Sequence, residues 1–219
     1  MATTIYSSTN DGDIDVTSSP GVSSWADARD ATSGTADYNE TRNVTAVRAV
    51  IIGSGRGTHY SVSRAFFEFD VSGITHVPKS ATISIRGNTN GNADIRVVKS
   101  NQAATLTNQD FNAIEGWVAG ESNLPNLTFY DTAEIIIWAT LGYNIIALSQ
   151  QALVDIAGLT TFKCCLIEAD QDLRNTAPTA PGGLLNYSGM HYADQAGTLL
   201  DPKLSITEQD NSVFFGFNF

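Results

Sequence analysis

Apolar and polar positions alternate along this chain in short runs that read as strands. Gly12 to Val16 sets Asp13 and Asp15 on one face and Ile14 and Val16 on the other. Val44 to Ile52 is rich in β-branched residues and stops at Gly53-Ser-Gly55-Arg-Gly57. Tyr60 to Val71 carries Val62, Phe66, Phe67 and Phe69 and turns at Ser72-Gly73. Ala81 to Arg86 alternates Ile83 and Ile85 with Thr82, Ser84 and Arg86, and Asp94 to Lys99 follows the turn-forming Asn88-Thr-Asn90-Gly91-Asn92. Glu134 to Ala139 holds Ile135-Ile-Ile137-Trp138, an apolar run of the kind found in strands covered on both faces. Tyr143 to Leu148, Thr161 to Glu168, Gly189 to Ala193, Lys203 to Thr207 and Val213 to Phe219 complete the set.

Two short helices interrupt the strands. Thr107-Asn-Gln-Asp110 is like a capping box, with Asp in place of Glu, and opens a turn through Phe111 and Ile114. Ser149 is placed to cap Gln150 to Ala157, with Leu153 and Ile156 on one face and Gly158 as the stop. Polar loops are expected over about Ser18 to Arg42 and Asp170 to Asn186. Strands at roughly ten-residue spacing with so little helix predict an all-β fold, a two-sheet antiparallel β-sandwich or jelly roll. Residues 1–207 form its single domain, and 208–219 form an aromatic C-terminal tail or a final strand.

Composition narrows the partners. The 219 residues include 12 basic and 23 acidic side chains, for a net charge of −11. That balance argues against a nucleic-acid backbone and against an anionic membrane surface, both of which need clustered Lys and Arg. Charged residues are 16%, so the surface is solvated mainly by Ser, Thr, Asn and Gln. No apolar run approaches the length of a membrane span. Residues 1–8 lack the basic and apolar regions of a signal peptide, so the expectation is a chain made and folded in the cytosol, whatever its later destination. Cys164 and Cys165 are adjacent, and strand alternation sends them to opposite faces. Two buried free thiols are expected, with a strained vicinal disulfide as the alternative.

Few residues nominate chemistry. Asp11, Asp13 and Asp15 have the spacing of a Ca²⁺ loop, but Val16 and Val22 stand where the EF-hand needs Gly and Glu, so a solvated strand face is expected. Glu168, Asp170 and Asp172 share one face where a strand runs into a loop; they are the candidate ligands for Ca²⁺, the one cofactor considered. Glu68 and Asp70 lie about 7 Å apart along a strand, a distance a glycosidase pair tolerates. No second environment separates an acid from a base there, so no catalytic residue is assigned. His59, His76 and His191 are scattered without zinc-like spacing. Trp25, Trp117, Tyr187 and Tyr192, like Tyr38 and Tyr130, lie in or near loops, where aromatic faces either stack on sugars or pack beneath the loops. The first four are the candidate glycan-binding residues.

Longer stretches carry a resemblance. Arg64-Ala-Phe-Phe-Glu-Phe-Asp-Val-Ser-Gly-Ile74, followed by Pro78-Lys-Ser-Ala-Thr-Ile-Ser-Ile85, resembles the core of the DNRLRE-type carbohydrate-binding-module-like jelly rolls. Asn144-Ile-Ile-Ala-Leu-Ser149 and Tyr192-Ala-Asp-Gln-Ala-Gly-Thr198 with Asp201-Pro-Lys-Leu-Ser-Ile-Thr207 extend the similarity over about residues 10–207. The resemblance implies a sandwich in which Asp70 organises the Ser72-Gly73 turn. Domains of this kind occur on secreted polysaccharide enzymes, on bacterial surface proteins and among phage and prophage structural proteins. Against the secreted examples, neither a signal nor a catalytic domain is expected for this chain, and residues 211–219 add an aromatic tail.

Those departures lead to the expectation of a non-enzymatic bacteriophage virion protein, a capsid decoration or a tail or appendage component. Its partners would be other virion proteins and copies of itself. The alternative is a glycan-binding module for host or surface polysaccharide. Val213, Phe215, Phe217 and Phe219 fall on one strand face and are the candidate interface. Left uncovered, such a strand invites aggregation. It either returns to its own sandwich or buries against a neighbouring subunit.

Overall fold

The computed structural model describes residues 2–19, 21, 24–54, 57–122, 124–179, 186–194 and 196–209. Eleven strands run through these described residues: β1 (Ala2–Tyr6), β2 (Gly12–Thr17), β3 (Thr35–Asp37), β4 (Arg42–Ser54), β5 (Gly57–Asp70), β6 (Ser80–Gly91), β7 (Ile95–Lys99), β8 (Tyr143–Ala147), β9 (Thr161–Glu168), β10 (Tyr187–His191) and β11 (Lys203–Thr207). Two α-helices, α1 (Trp25–Arg29) and α2 (Gln150–Gly158), join them. The fold is an all-β sandwich in which these strands pair antiparallel.

One sheet contains β1, β11, β6 and β8; the other contains β10, β4, β5, β2, β3, β9 and β7. β6 belongs to both. Its first half lies between β11 and β8, and beyond Gly87 it pairs with β10 of the second sheet. Asn88 to Gly91, expected as a turn, therefore continues this strand. β5 organises the second sheet, pairing with β4 and β2 through its first part and with β9 through Ala65–Asp70.

That second sheet is covered on both faces, and its sequence says so. Along β9, Cys164 faces the inter-sheet core of Phe67, Phe69, Ile83 and Ile206, while Cys165 faces an outer cluster with Ile14, Phe66, Phe111 and Ile167. Both thiols are free and buried, as alternation requires. The outer cluster is roofed by α1, by a 3₁₀ turn at Asn108–Asn112 and by residues beyond it. Asp110 accepts from the Thr107 backbone N–H at 2.8 Å and starts that turn. Ser149 caps α2 by accepting from Ala152 N, and Leu153 and Ile156 turn into the core. Asp70 accepts from the Ser72 N–H at 3.0 Å, fixing the turn after β5.

Three expectations need correction. The span 18–42 is not one loop. It contains α1, opened by a reciprocal capping box between Ser24 and Asp27, and β3, which pairs with β2. β1 is a further strand, held by β11. Glu134 to Ala139 is not a doubly covered strand: it makes a single bridge, Ile95 to Ile135, and then leaves the sheet. The aromatic segment with Val213, Phe215, Phe217 and Phe219 lies outside the described residues.

Candidate functional site

The most unusual surface lies where that expected strand fails. Ile135 exchanges two backbone bonds with Ile95, each at 2.9 Å, and is drawn against the core. Trp138 is buried and donates its Nε1–H to the Gly189 carbonyl at 3.0 Å, and its own carbonyl accepts from Asn90 Nδ2 at 2.9 Å. The Asn144 amide clasps both backbone groups of Ala139, at 2.8 and 3.0 Å. The chain is therefore pinned at Ile135 and at Trp138–Ala139, and the two residues between the pins face water. Ile136 is 67% exposed and Ile137 79% exposed.

This segment runs beside β8, which pairs with β6 and with no other named strand. Ile145 of β8 is 71% exposed and Leu141 before it 85%. Between β8 and residues 132–137 lies an open cleft of about 360 Å³ lined by Ile135, Ile136, Ile137, Ile145, Ile146 and Ala147, among others. Scattered exposed aliphatic residues are ordinary, but Ile136, Ile137 and Ile145 gathered around one cleft beside an edge strand mark an interaction surface.

The candidate glycan-binding aromatics do not gather on one face. Tyr192 is fully buried and its hydroxyl donates to Asp13 at 2.8 Å. Trp25 is buried, with its edge against Tyr60 and its Nε1–H donating to Asn175 at 2.9 Å. Of the two alternatives for these candidate glycan-binding residues, packing beneath the loops is the one found. Trp117 is half-buried with the Arg29 and Arg64 guanidinium carbons 4.4 and 4.0 Å from its ring centroid. Tyr187 is half-buried in β10. Of the other two aromatics, Tyr130 is buried against Phe162, and Tyr38 is half-buried beside the outer cluster.

The candidate Ca²⁺ ligands point to separate partners. Both oxygens of Glu168 accept backbone N–H groups of Asp170, Gln171 and Asp172, capping the π-helical turn Ala169–Leu173. Asp172 is paired with Arg64, and Asp170 with Arg174. Asp170 instead converges with Asp94 and Glu134, whose carboxylate oxygens lie within 4.8 Å of one another. Arg174 binds Glu134 as well as Asp170, so this acidic group already holds a cation of the chain's own. Glu68 faces Lys163 at 3.7 Å.

The reading of the acidic side chains at the start of β2 is also corrected. Asp11 and Asp13 are buried, not solvated. Asp11 accepts from the Ala193 N–H at 3.1 Å, and Asp13 accepts from Tyr192, Asn43 and Ser63. Burial pushes Asp11 up to about 8 and Asp13 up to about 7, against the pull of those donors. Burial likewise raises Glu168 to about 8, although three N–H groups face it.

Sequence reasoning also missed the charges beneath the outer layer. Arg29 and Arg64 are fully buried. Arg29 bonds the Asp172 carbonyl, Asp30 and the Glu121 carbonyl, tying α1 to two distant segments. One signal was present: Arg64 stands between Val62 and Phe66 on the apolar period of a strand. Among the described residues no helix is long and apolar enough to cross a membrane. No protein-family model matches the chain, and no curated protein matches it.

Proposed function

We propose that this chain is a non-enzymatic structural protein of a bacteriophage virion, a jelly-roll unit of the capsid decoration or of a tail or appendage, that works by assembling with copies of itself and with other virion proteins. One observation carries the assembly part: Ile136, Ile137, Leu141 and Ile145 stand exposed beside an edge strand. Burying an aliphatic side chain of this size is worth about 1.5–3 kcal/mol, so a contact covering these four supplies several kcal/mol. The virion part rests on the resemblance to DNRLRE-type modules. Its segments supply β5 with its turn and β6, β8 and β11, which frame both sheets.

A glycan-binding role draws less support, because Trp25 and Tyr192 are engaged inside and Trp117 is packed on two guanidinium groups. Hydrolysis draws less still: Glu68 faces Lys163, and Asp70 holds a turn. Mass spectrometry of intact particles purified from the producing host tests the proposal. The chain is expected among the stoichiometric proteins of the particle, and its absence from particles would overturn the virion reading.

A further inference from the structure

We infer that the cleft between β8 and residues 132–137 is an acceptor site for the aromatic segment Val213–Phe219 of a second copy of this chain. The inference rests on the self-assembly part of the function proposed above and names its contact. The cleft offers isoleucines from both walls, and β8 offers an edge that no named strand pairs, engaged only at its end, where the Ala147 carbonyl accepts from the Thr132 N–H at 3.1 Å. The segment offers the matching features. It has no charged side chain from Asn211 to Phe219 and its alternation puts Val213, Phe215, Phe217 and Phe219 on one strand face. A strand added to β8 would bond its free backbone groups while the aromatic face covers Ile136, Ile137 and Ile145.

Reach favours a second copy over the same one. β11 and β8 flank β6, so the free side of β8 lies three strand spacings, about 14 Å, from β11. β8 ends at Ala147, opposite Thr82 of β6. Thr207 of β11 pairs with Ser80 and accepts from the Lys79 N–H, and Glu208 and Gln209 continue beside His76 and Val77. At full strand rise, Gln209 stands about 13 Å past the end of β8. Sideways and lengthwise displacements combine to roughly 19 Å, whereas the four steps from Gln209 to Val213 span about 14 Å at full extension. Val213 therefore falls short of its own cleft, where only Phe215–Phe219 of a fully stretched chain would arrive, whereas the cleft of a neighbour takes the segment from Val213 onward.

Sedimentation of the full-length chain tests this at up to about 100 μM, enough to populate a complex of micromolar Kd. The acceptor variant is Ile137→Glu with Ile145→Glu, on exposed side chains that leave the core intact. The donor variant is Phe215→Ser with Phe217→Ser. The wild-type chain is expected to self-associate, and each variant to associate about 100-fold more weakly or not at all. Mixing the variants is expected to restore a one-to-one complex, because one retains the cleft's partner segment and the other the cleft. A monomeric wild type, a donor variant that still associates through a face-to-face contact, or a mixture that stays monomeric would each overturn the inference. A monomer still found in purified particles would remove this contact and leave the virion reading standing; association by a chain absent from particles would do the reverse.

Discussion

Arg64 and Asp172 meet in a buried, two-bonded pair, with Nε donating to Oδ2 and Nη2 to Oδ1, each at 2.8 Å. Neither side chain is exposed. The remaining donors of Arg64 go to the Phe111 carbonyl, Asn112 Oδ1 and the Arg29 carbonyl, so the guanidinium stitches β5 to the π-helical turn, the 3₁₀ turn and α1. Removing one partner leaves an uncompensated buried charge, which costs about 3–5 kcal/mol. Asp172→Leu is expected to lower the free energy of urea unfolding by that amount. Arg64→Met combined with Asp172→Leu is expected to recover part of the loss, because an apolar pair of similar volume fits the same enclosure. Loss of less than about 1 kcal/mol in Asp172→Leu would mean that the outer layer is held mainly by its apolar contacts.

The buried carboxylates give the protein an unusual pH dependence. Asp11, Asp13 and Glu168 have ordinary values of 3.8, 3.8 and 4.5 and rise on folding to about 8, 7 and 8. The folded state therefore holds protons that the unfolded chain releases above about pH 4. Their contribution is fully present below the unfolded values and is lost as pH rises through 7 to 8, at up to about 1.4 kcal/mol per pH unit for each group. Urea unfolding is expected to give a higher stability at pH 5.5 than at pH 8. Asp13→Asn, which stays neutral, is expected to flatten that slope. A stability that does not fall between these pH values would overturn the raised values of these three carboxyls.

Much of this fold was legible because its strands obey alternation. β9 and β11 span the residues that their patterns mark, and Cys164 and Cys165 divide between two cores as neighbours on a doubly covered strand must. What alternation could not carry was environment. Ile135-Ile-Ile137-Trp138 is apolar in every position, so its pattern holds no information about which residues point inward; pins at Ile135 and Trp138 decide that. Asp11 and Asp13 look solvated by residue type, yet donors from Tyr192, Asn43 and Ala193, distant in sequence, make their burial tolerable. β3 is three residues long and α1 five, below the length at which periodicity says anything. The capping pattern of Ser24 and Asp27 was the available signal for α1, as Thr107 and Asp110 were for the 3₁₀ turn.

The paired thiols make a chemical prediction. Both are fully buried, and burial raises both above the ordinary thiol range, so thiolate is scarce at either sulfur. The native protein is expected to give no colour with a disulfide reagent at pH 8 over hours, and two equivalents per chain in guanidinium. Two equivalents from native protein would place the sulfurs at the surface, and none from unfolded protein would mean a bond between them.

The face proposed for assembly depends on a glycine behind it. Gly87 sits where β6 passes from one sheet to the other, and a Cβ there would lie 1.8 Å from the Ala139 carbonyl oxygen and 3.0 Å from Asn144 Nδ2. Only a residue without a side chain lets the 132–139 segment approach β6 so closely. In Gly87→Ala the Ala139 carbonyl must retreat, which opens the Asn144 clasp and loosens the anchor at Trp138. The strain and the lost bonds together are expected to cost about 1–3 kcal/mol in urea unfolding. Because Ile136 and Ile137 are held out by these pins, the same change is expected to weaken self-association at temperatures where the chain is still folded. Ser80→Ala, at an exposed position on the same strand, should alter neither property. If Gly87→Ala lowered stability and left association at the wild-type level, the isoleucines would be presented by some means other than the clasp on Ala139.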